Sequence, residues 1–169
     1  MKHLPSERHT LSILVDNEAG VLARIVGLFS ARGYNIESLT VADVSDDSAV
    51  SRITLVTNGP PPVIDQIIAQ LDRLVPVHRV VDLTDFGPHV EREMALVKVA
   101  GSGEKRVEAL RLADIFRARP VDTSTKSFVF EVSGSTEKVN QFIALMREVG
   151  LVEVARTGVV AIARGAEAV

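Results

Sequence analysis

Apolar positions change period several times along this chain, and each change marks an element. Leu11, Ile13 and Val15 alternate with other residues, the period of a strand with one buried face, and predict a strand over 10–15. From Val21 the spacing turns helical: Val21, Leu22, Ile25, Val26 and Phe29 share one stripe, so a helix is predicted over 20–32. Gly33 closes it as a C-terminal cap. Strands follow over 35–44 and 50–57, with the turn residues Ser45-Asp46-Asp47-Ser48 between them, which makes them a hairpin. Asn58-Gly59-Pro60-Pro61-Pro62 then breaks the sheet and opens a second helix, because proline is tolerated in a first helical turn. Its stripe is Val63, Ile64, Ile67, Ile68, Leu71 and Leu74, and it ends near Pro76; a fourth strand covers 77–83.

The second half repeats this order. Thr84-Asp85-Phe86-Gly87-Pro88-His89 reads as a break. A strand over 94–100 comes next, then a Gly101-Ser102-Gly103 turn and a helix over 105–117 with Val107, Leu110 and Phe116 inward. A short strand over 121–123 precedes one that alternates Phe128, Phe130 and Val132. The last helix, over 136–149, places Val139, Phe142, Ile143, Met146 and Val149 at helical spacing, and a strand over 151–156 ends the pattern. Phe29-Ser30-Ala31-Arg32-Gly33 has a local echo in Phe116-Arg117-Ala118-Arg119-Pro120. The fold class is therefore α+β, with two tandem ferredoxin-like βαββαβ domains. The expected divisions are a flexible N-terminus over 1–9, a first domain over 10–85, a linker over 86–93 and a second domain over 94–169. The apolar tail 159–163 would pair with a sheet edge, of its own domain or of a partner.

Composition narrows the function. The 169 residues are 46% hydrophobic and 24% charged, enough for one ordinary core or two small ones. Aromatic content is 4%, with no Trp and one Tyr, so the cores are aliphatic and platforms for stacking bases are scarce. A net charge of −3 argues against nucleic acid as the main partner, since phosphate binding needs a clustered basic face. The strands also lack the paired aromatic motifs of an RNA-recognition sheet. With no cysteine there is no disulfide, thiolate-held zinc or thiol catalysis. The polar residues before Arg8 are no secretory signal, and no apolar run approaches the ~20 residues of a membrane span. These features predict a cytoplasmic protein without a membrane partner.

No catalytic constellation stands out. His3, His9, His78 and His89 are scattered, without the helical i, i+4 spacing of a metal pair. Asp43, Asp46 and Asp47 read as a solvated hairpin turn, and the serines fall in caps and turns without a nucleophile elbow. Gly101-Ser102-Gly103 lacks the Lys and Ser/Thr of a phosphate loop. Arg117, Arg119 and Lys126, and Glu91-Arg92-Glu93, read as solvated charge. No catalytic or metal-binding residue is assigned.

One feature is richer. Asp16-Asn17-Glu18-Ala19-Gly20-Val21-Leu22 lies where period 2 gives way to period 3.6, between a strand and a helix N-terminus. Such a terminus has unsatisfied N–H groups and a partial positive charge, which suit a carboxylate or phosphate. Gly20 lets a ligand approach the backbone, and Asn17 offers both a donor and an acceptor. The plain alternative is an ordinary strand-to-helix turn. Gly33 to Leu39 opens the second strand, the edge where another copy could pair side by side. Asn35 and Ile36 could then face the other subunit's 16–22 loop. An amino acid lodged there would set its carboxylate on the N–H groups near Gly20, with its side chain against Val21, Leu22, Ile36 and Leu39. That aliphatic lining favours an aliphatic ligand.

Asp16-Asn17-Glu18-Ala19-Gly20-Val21-Leu22, followed by Gly33-Tyr34-Asn35-Ile36-Glu37-Ser38-Leu39-Thr40-Val41, resembles the ACT domain of acetolactate (acetohydroxyacid) synthase small subunits. His89-Val90-Glu91-Arg92-Glu93, Leu96-Val97-Lys98-Val99 and Glu153-Val154-Ala155-Arg156-Thr157-Gly158-Val159-Val160 resemble the C-terminal domain of the same family. The resemblance covers nearly the whole chain. It implies a non-catalytic regulatory subunit that pairs through its ACT domain as a homodimer and binds L-valine at the interface. It also implies docking on a large catalytic subunit, which is activated and made sensitive to valine in branched-chain amino acid synthesis. Thiamine diphosphate, Mg²⁺ and FAD would belong to that partner, with no cofactor in this chain. By motif the valine-binding residues would be Asn17, Ala19, Gly20, Val21, Leu22, Asn35 and Ile36, with Gln66 a weaker candidate. Ala19 stands where other ACT families often carry Pro. The competing reading is a stand-alone ACT-type sensor controlling another enzyme or a transcription factor.

Overall fold

The computed structural model describes residues 5–169, and the chain divides into two compact units. One comprises the residues up to Val90 together with Val159–Val169, the other Glu91–Gly158. In the first, β1 (Glu7–Asp16), α1 (Val21–Arg32), β2 (Ser38–Asp43), β3 (Val50–Gly59), α2 (Pro61–Leu71) and β4 (Val77–Asp82) follow in order. The sheet order β2-β3-β1-β4, with antiparallel neighbours, is that of a split βαβ unit. Leu11 pairs with Leu55 and Ile13 with Ile53, so these side chains share the face that α1 and α2 cover with Ile25, Phe29, Ile64, Ile67 and Leu71. Tyr34 meets Phe29 edge to face at 5.9 Å between centroids.

Gly33 caps α1 in the left-handed region at φ 68°, and its N–H donates to the carbonyls of Phe29 and Ser30. A residue without Cβ adopts that conformation at no steric cost. The opposite face of the sheet carries Thr10, Ser12 and Thr54, all buried. The tail lies on this side. Arg52 and Arg79 donate to the carbonyls of Val169 and Ala168, while Ala161 and Val169 pack with Val81 and Leu83.

The second unit takes in β5 (His89–Ala100) from Glu91 onward, then α4 (Glu104–Ile115), β6 (Arg119–Thr123), β7 (Ser127–Gly134), α5 (Thr136–Val149) and β8 (Leu151–Arg156). Its strand order β6-β7-β5-β8 repeats the first sheet's. Val97, Val99, Phe128, Phe130, Val132 and the inner face of α5 form its core, where Phe142 packs against Phe116 and Phe130. Ser135 caps α5 by accepting from the Lys138 N–H, and Gly150 ends the helix at φ 117°.

Several boundaries differ from those the pattern predicts. β1 begins at Glu7, so residues 7–9 of the expected flexible N-terminus pair with β3; residues 1–4 lie outside the described residues. The expected linker is largely structured. Leu83–Phe86 is a one-turn helix, α3, and β5 starts at His89. The tail, expected in the second domain, groups with the first unit and contains the short strand β9 (Val160–Ala163). Arg164 N–H donates to the Pro88 carbonyl, and Val159 N–H to Ser38 Oγ.

The inward face of α4 is also different. Val107 and Leu110 are exposed, and Ala109, Leu112 and Ala113 are buried. α4 packs against α5, and small side chains let two helices approach closely.

Candidate functional site

The loop 16–22 leaves β1 and enters α1 under tight backbone control. Asp16 N–H donates to the Pro76 carbonyl and Asn17 N–H to the Ala49 carbonyl, both at 2.8 Å. Asn17 Nδ2 donates to the Ser48 carbonyl at 2.8 Å, which ties the loop to the β2–β3 hairpin. That hairpin is itself ordered: Ser48 Oγ donates to Asp43, and Asp47 accepts from the Ala49 N–H. The Ser45 hydroxyl and this backbone N–H hold the Asp47 carboxyl below its usual range. One donor of Asn17 is thus spent on the scaffold; its amide oxygen takes no part in that bond.

Gly20 is the N-cap of α1 at φ 90°, a left-handed conformation, with no side chain capping the helix. A Cβ built on Gly20 would meet nothing within 4 Å, so the space above this turn is open. The first intrahelical bond is from Arg24 N–H to the Gly20 carbonyl. This leaves the N–H groups of Leu22 and Ala23 directed out of the helix, where an anion can accept from them. No acidic residue occupies the first turn. Ala19 is exposed, Val21 is buried in the core and Leu22 is partly exposed, so the turn has a polar backbone and an apolar shoulder.

Asn35 and Ile36 lie beyond the other end of α1. The Asn35 carbonyl accepts from Thr57 Oγ1, and Ile36 packs on the core. Gln66 belongs to this end, since its Oε1 accepts from Tyr34 OH at 2.9 Å. A helix of 12 residues separates the two groups by roughly 18 Å, so one chain does not bring them together. β2, which follows Ile36 in sequence, is an edge strand of its sheet, and its Val41 is exposed.

The pattern of the sequence also hid contacts that the fold creates. His78 Nε2 lies 2.6 Å from Asp16 Oδ1, placing an imidazole at the base of the loop. Elsewhere in this unit buried His9 holds Asp82, its Nδ1 2.6 Å from Oδ2. A hollow of about 270 Å³ lies among Arg52 and tail residues, and another of about 250 Å³ over Leu96, Lys98 and Val129 on the second sheet; neither includes the loop. Among the described residues, no helix is long and apolar enough to cross a membrane.

The fold and this turn define the class: an ACT-type first unit joined to a second ferredoxin-like unit. The sequence model for the "AHAS small subunit-like ACT domain" matches residues 11–79, and that for the "small subunit of acetolactate synthase" matches 92–165. A probable acetolactate synthase small subunit of Archaeoglobus fulgidus is 49% identical, with 94% of this chain and 98% of that protein aligned. The isozyme 3 small subunit of Escherichia coli is 48% identical, over 94% and 96%. The crystal structure of the Thermotoga maritima small subunit superposes with a TM-score of 0.85 at 37% identity, covering 95% of this chain and 99% of that one. The chain belongs to the acetolactate synthase small-subunit family.

Proposed function

We propose that this chain is the regulatory subunit of acetolactate synthase, which activates the catalytic subunit and confers feedback inhibition by valine. Membership of the small-subunit family carries the reading. The catalytic partner supplies the active site with thiamine diphosphate, Mg²⁺ and FAD, and this chain contributes control without chemistry of its own. The complex works in the cytoplasm, in the synthesis of valine, isoleucine and leucine.

Two copies pair along β2, so that the 16–22 loop of one faces Asn35 and Ile36 of the other. L-Valine sits between them. Its carboxylate accepts from the N–H groups at the start of α1, where Gly20 leaves the approach open. Its ammonium takes the Asn17 amide oxygen and acceptors of the Asn35 segment. Its isopropyl group meets Val21, Leu22 and Ile36, while Ala19 keeps the turn small. A ligand held this way belongs in the millimolar to micromolar range, about 4–8 kcal/mol of binding. Valine favours one dimer geometry and the catalytic subunit another; a coupling of about 1–3 kcal/mol between the two events is enough for feedback.

Isothermal titration of L-valine into the purified chain, with D-valine and L-glutamate as controls, tests the ligand. Saturable binding of L-valine alone, lost in Asn17→Ala and Gly20→Asp, is expected. In the reconstituted holoenzyme both variants should still activate the catalytic subunit while resisting valine. Unaltered inhibition would refute the site.

A further inference from the structure

The tip of the β2–β3 hairpin is held in an unusual shape. Ser48 has φ 53°, in the left-handed region that few residues other than glycine adopt. Bonds on both sides keep it there. Its N–H donates to the Ser45 carbonyl at 3.0 Å, and its Oγ donates to Asp43 Oδ2 at 2.7 Å. Beyond it, Asp47 Oδ1 accepts from the Ala49 N–H at 3.1 Å and Ser45 Oγ from the Val50 N–H at 2.9 Å. The turn so formed brings two successive carbonyls, of Ser48 and Ala49, to residue 17. They accept from Asn17 Nδ2 and from the Asn17 N–H, each at 2.8 Å.

A carbonyl can only accept, so it decides which end of the Asn17 amide faces it. Nδ2 turns to Ser48, and Oδ1 lies on the other branch of the planar group. Among the described residues nothing donates to that oxygen. An unanchored asparagine rotates to offer a ligand either a donor or an acceptor. Anchored through its nitrogen, Asn17 turns an acceptor away from the hairpin.

We propose that Ser48 is a positioning residue that makes the site select an amine: its carbonyl fixes Asn17 so that an amino acid binds and the 2-oxo acid of the same carbon skeleton does not. The inference rests on the valine reading above. L-Valine brings N–H donors to Oδ1. 3-Methyl-2-oxobutanoate has the same carboxylate and isopropyl group, but a carbonyl in place of the ammonium. Two acceptors then face each other with no proton between them. A site built to hydrogen-bond one group discriminates against the analogue that lacks it far better than an apolar contact does.

The test titrates the full chain calorimetrically with L-valine and, separately, with 3-methyl-2-oxobutanoate. The parent should bind L-valine at least about tenfold more tightly than the oxo acid. Ser48→Gly keeps the left-handed turn at no steric cost and should retain that preference. Ser48→Val sets a β-branched residue at positive φ, which moves the carbonyl and frees the amide to rotate. L-Valine should then bind roughly tenfold more weakly and the oxo acid no more weakly than before, so that the preference narrows. NMR of the Asn17 side-chain amide reads the anchor without ligand: its protons should exchange slowly in the parent and in Ser48→Gly, and fast in Ser48→Val. A preference that survives Ser48→Val, or equal weakening of both ligands, overturns the proposal and leaves the valine site standing. If the parent binds no L-valine, the reading of the site fails and this inference falls with it.

Discussion

Gly20 and Gly150 both hold positive φ, but for different reasons, and the difference separates binding from stability. At Gly20 the space around a Cβ is empty, so the glycine keeps an approach open. At Gly150 a Cβ would sit 2.2 Å from the Ala100 carbonyl oxygen, where helix α5 turns back beside β5. Gly150 also carries the bond that receives the Ala100 N–H at 2.9 Å, so backbone must move to admit any side chain. Gly150→Ala is therefore expected to cost at least the ~1–2 kcal/mol of a left-handed residue with a Cβ, with the clash added. Gly20→Ala should cost only the conformational part. Urea unfolding of the two variants checks this, and equal losses would refute the distinction. Gly20 was legible from the pattern as a turn position, and Gly150 falls in the one-residue gap between the helix predicted over 136–149 and the strand predicted over 151–156. Whether each serves an open or a crowded turn depends on what the fold brings opposite.

At the scale of the element, the open face of the second sheet carries a cross-strand ion pair. Lys98 on β5 donates to Glu153 on β8 at 2.6 Å. That hydrogen bond, with the opposite charge behind it, raises the Lys98 pKa and lowers that of Glu153. A depressed carboxyl stabilises the fold above its ordinary range and loses that contribution as pH falls through its folded value. A raised amine contributes below its ordinary range and loses it as pH rises through its folded value. Glu153→Gln should thus lower Tm slightly between about pH 6 and 9, with the gap closing below about pH 4. Because the pair is exposed, added salt should shrink the gap as well. A difference that persists at acid pH would assign it to packing instead. Helix α5 shows how much of an element a periodic stripe conveys, since Val139, Phe142, Ile143, Met146 and Val149 are all buried. In α4 the larger residues Val107 and Leu110 misled, because close contact with α5 selects the small side chains Ala109 and Ala113, whereas Phe116 does pack against the core as expected.

The whole molecule is discontinuous in a way that no local pattern discloses. Its first unit begins the chain and is completed by the tail, after all of the second unit has been traversed. Val159, Ala161 and Val169 are buried there, and Ala161 and Val169 pack with Leu83. Two buried valines contribute roughly 1.5 kcal/mol or more each. Removing residues 159–169 should weaken the first unit by about 3 kcal/mol and leave the second intact. Hydrogen exchange reads this directly: amides of β1, β4 and α3 should exchange faster, while those of α5 and β7 keep their protection. Equal change in both units would mean that they unfold together.

The alternation of Leu11, Ile13 and Val15, the stripes of α1, α2 and α5 and the turn residues at 45–48 set the order of elements, because each depends on neighbours within a few residues. The glycine-containing turn between β1 and α1 and the long string from Gly33 to Val41 carried the family in the same way, as contiguous residues. Contacts made across the chain were out of reach. His9 meets Asp82 over 73 positions, Arg52 meets Val169 over 117, and Asn17 gives a donor to Ser48 rather than keeping it for a ligand. Those pairings follow from strand order and register, which close only when the sheet does, so their partners are fixed by the folded chain.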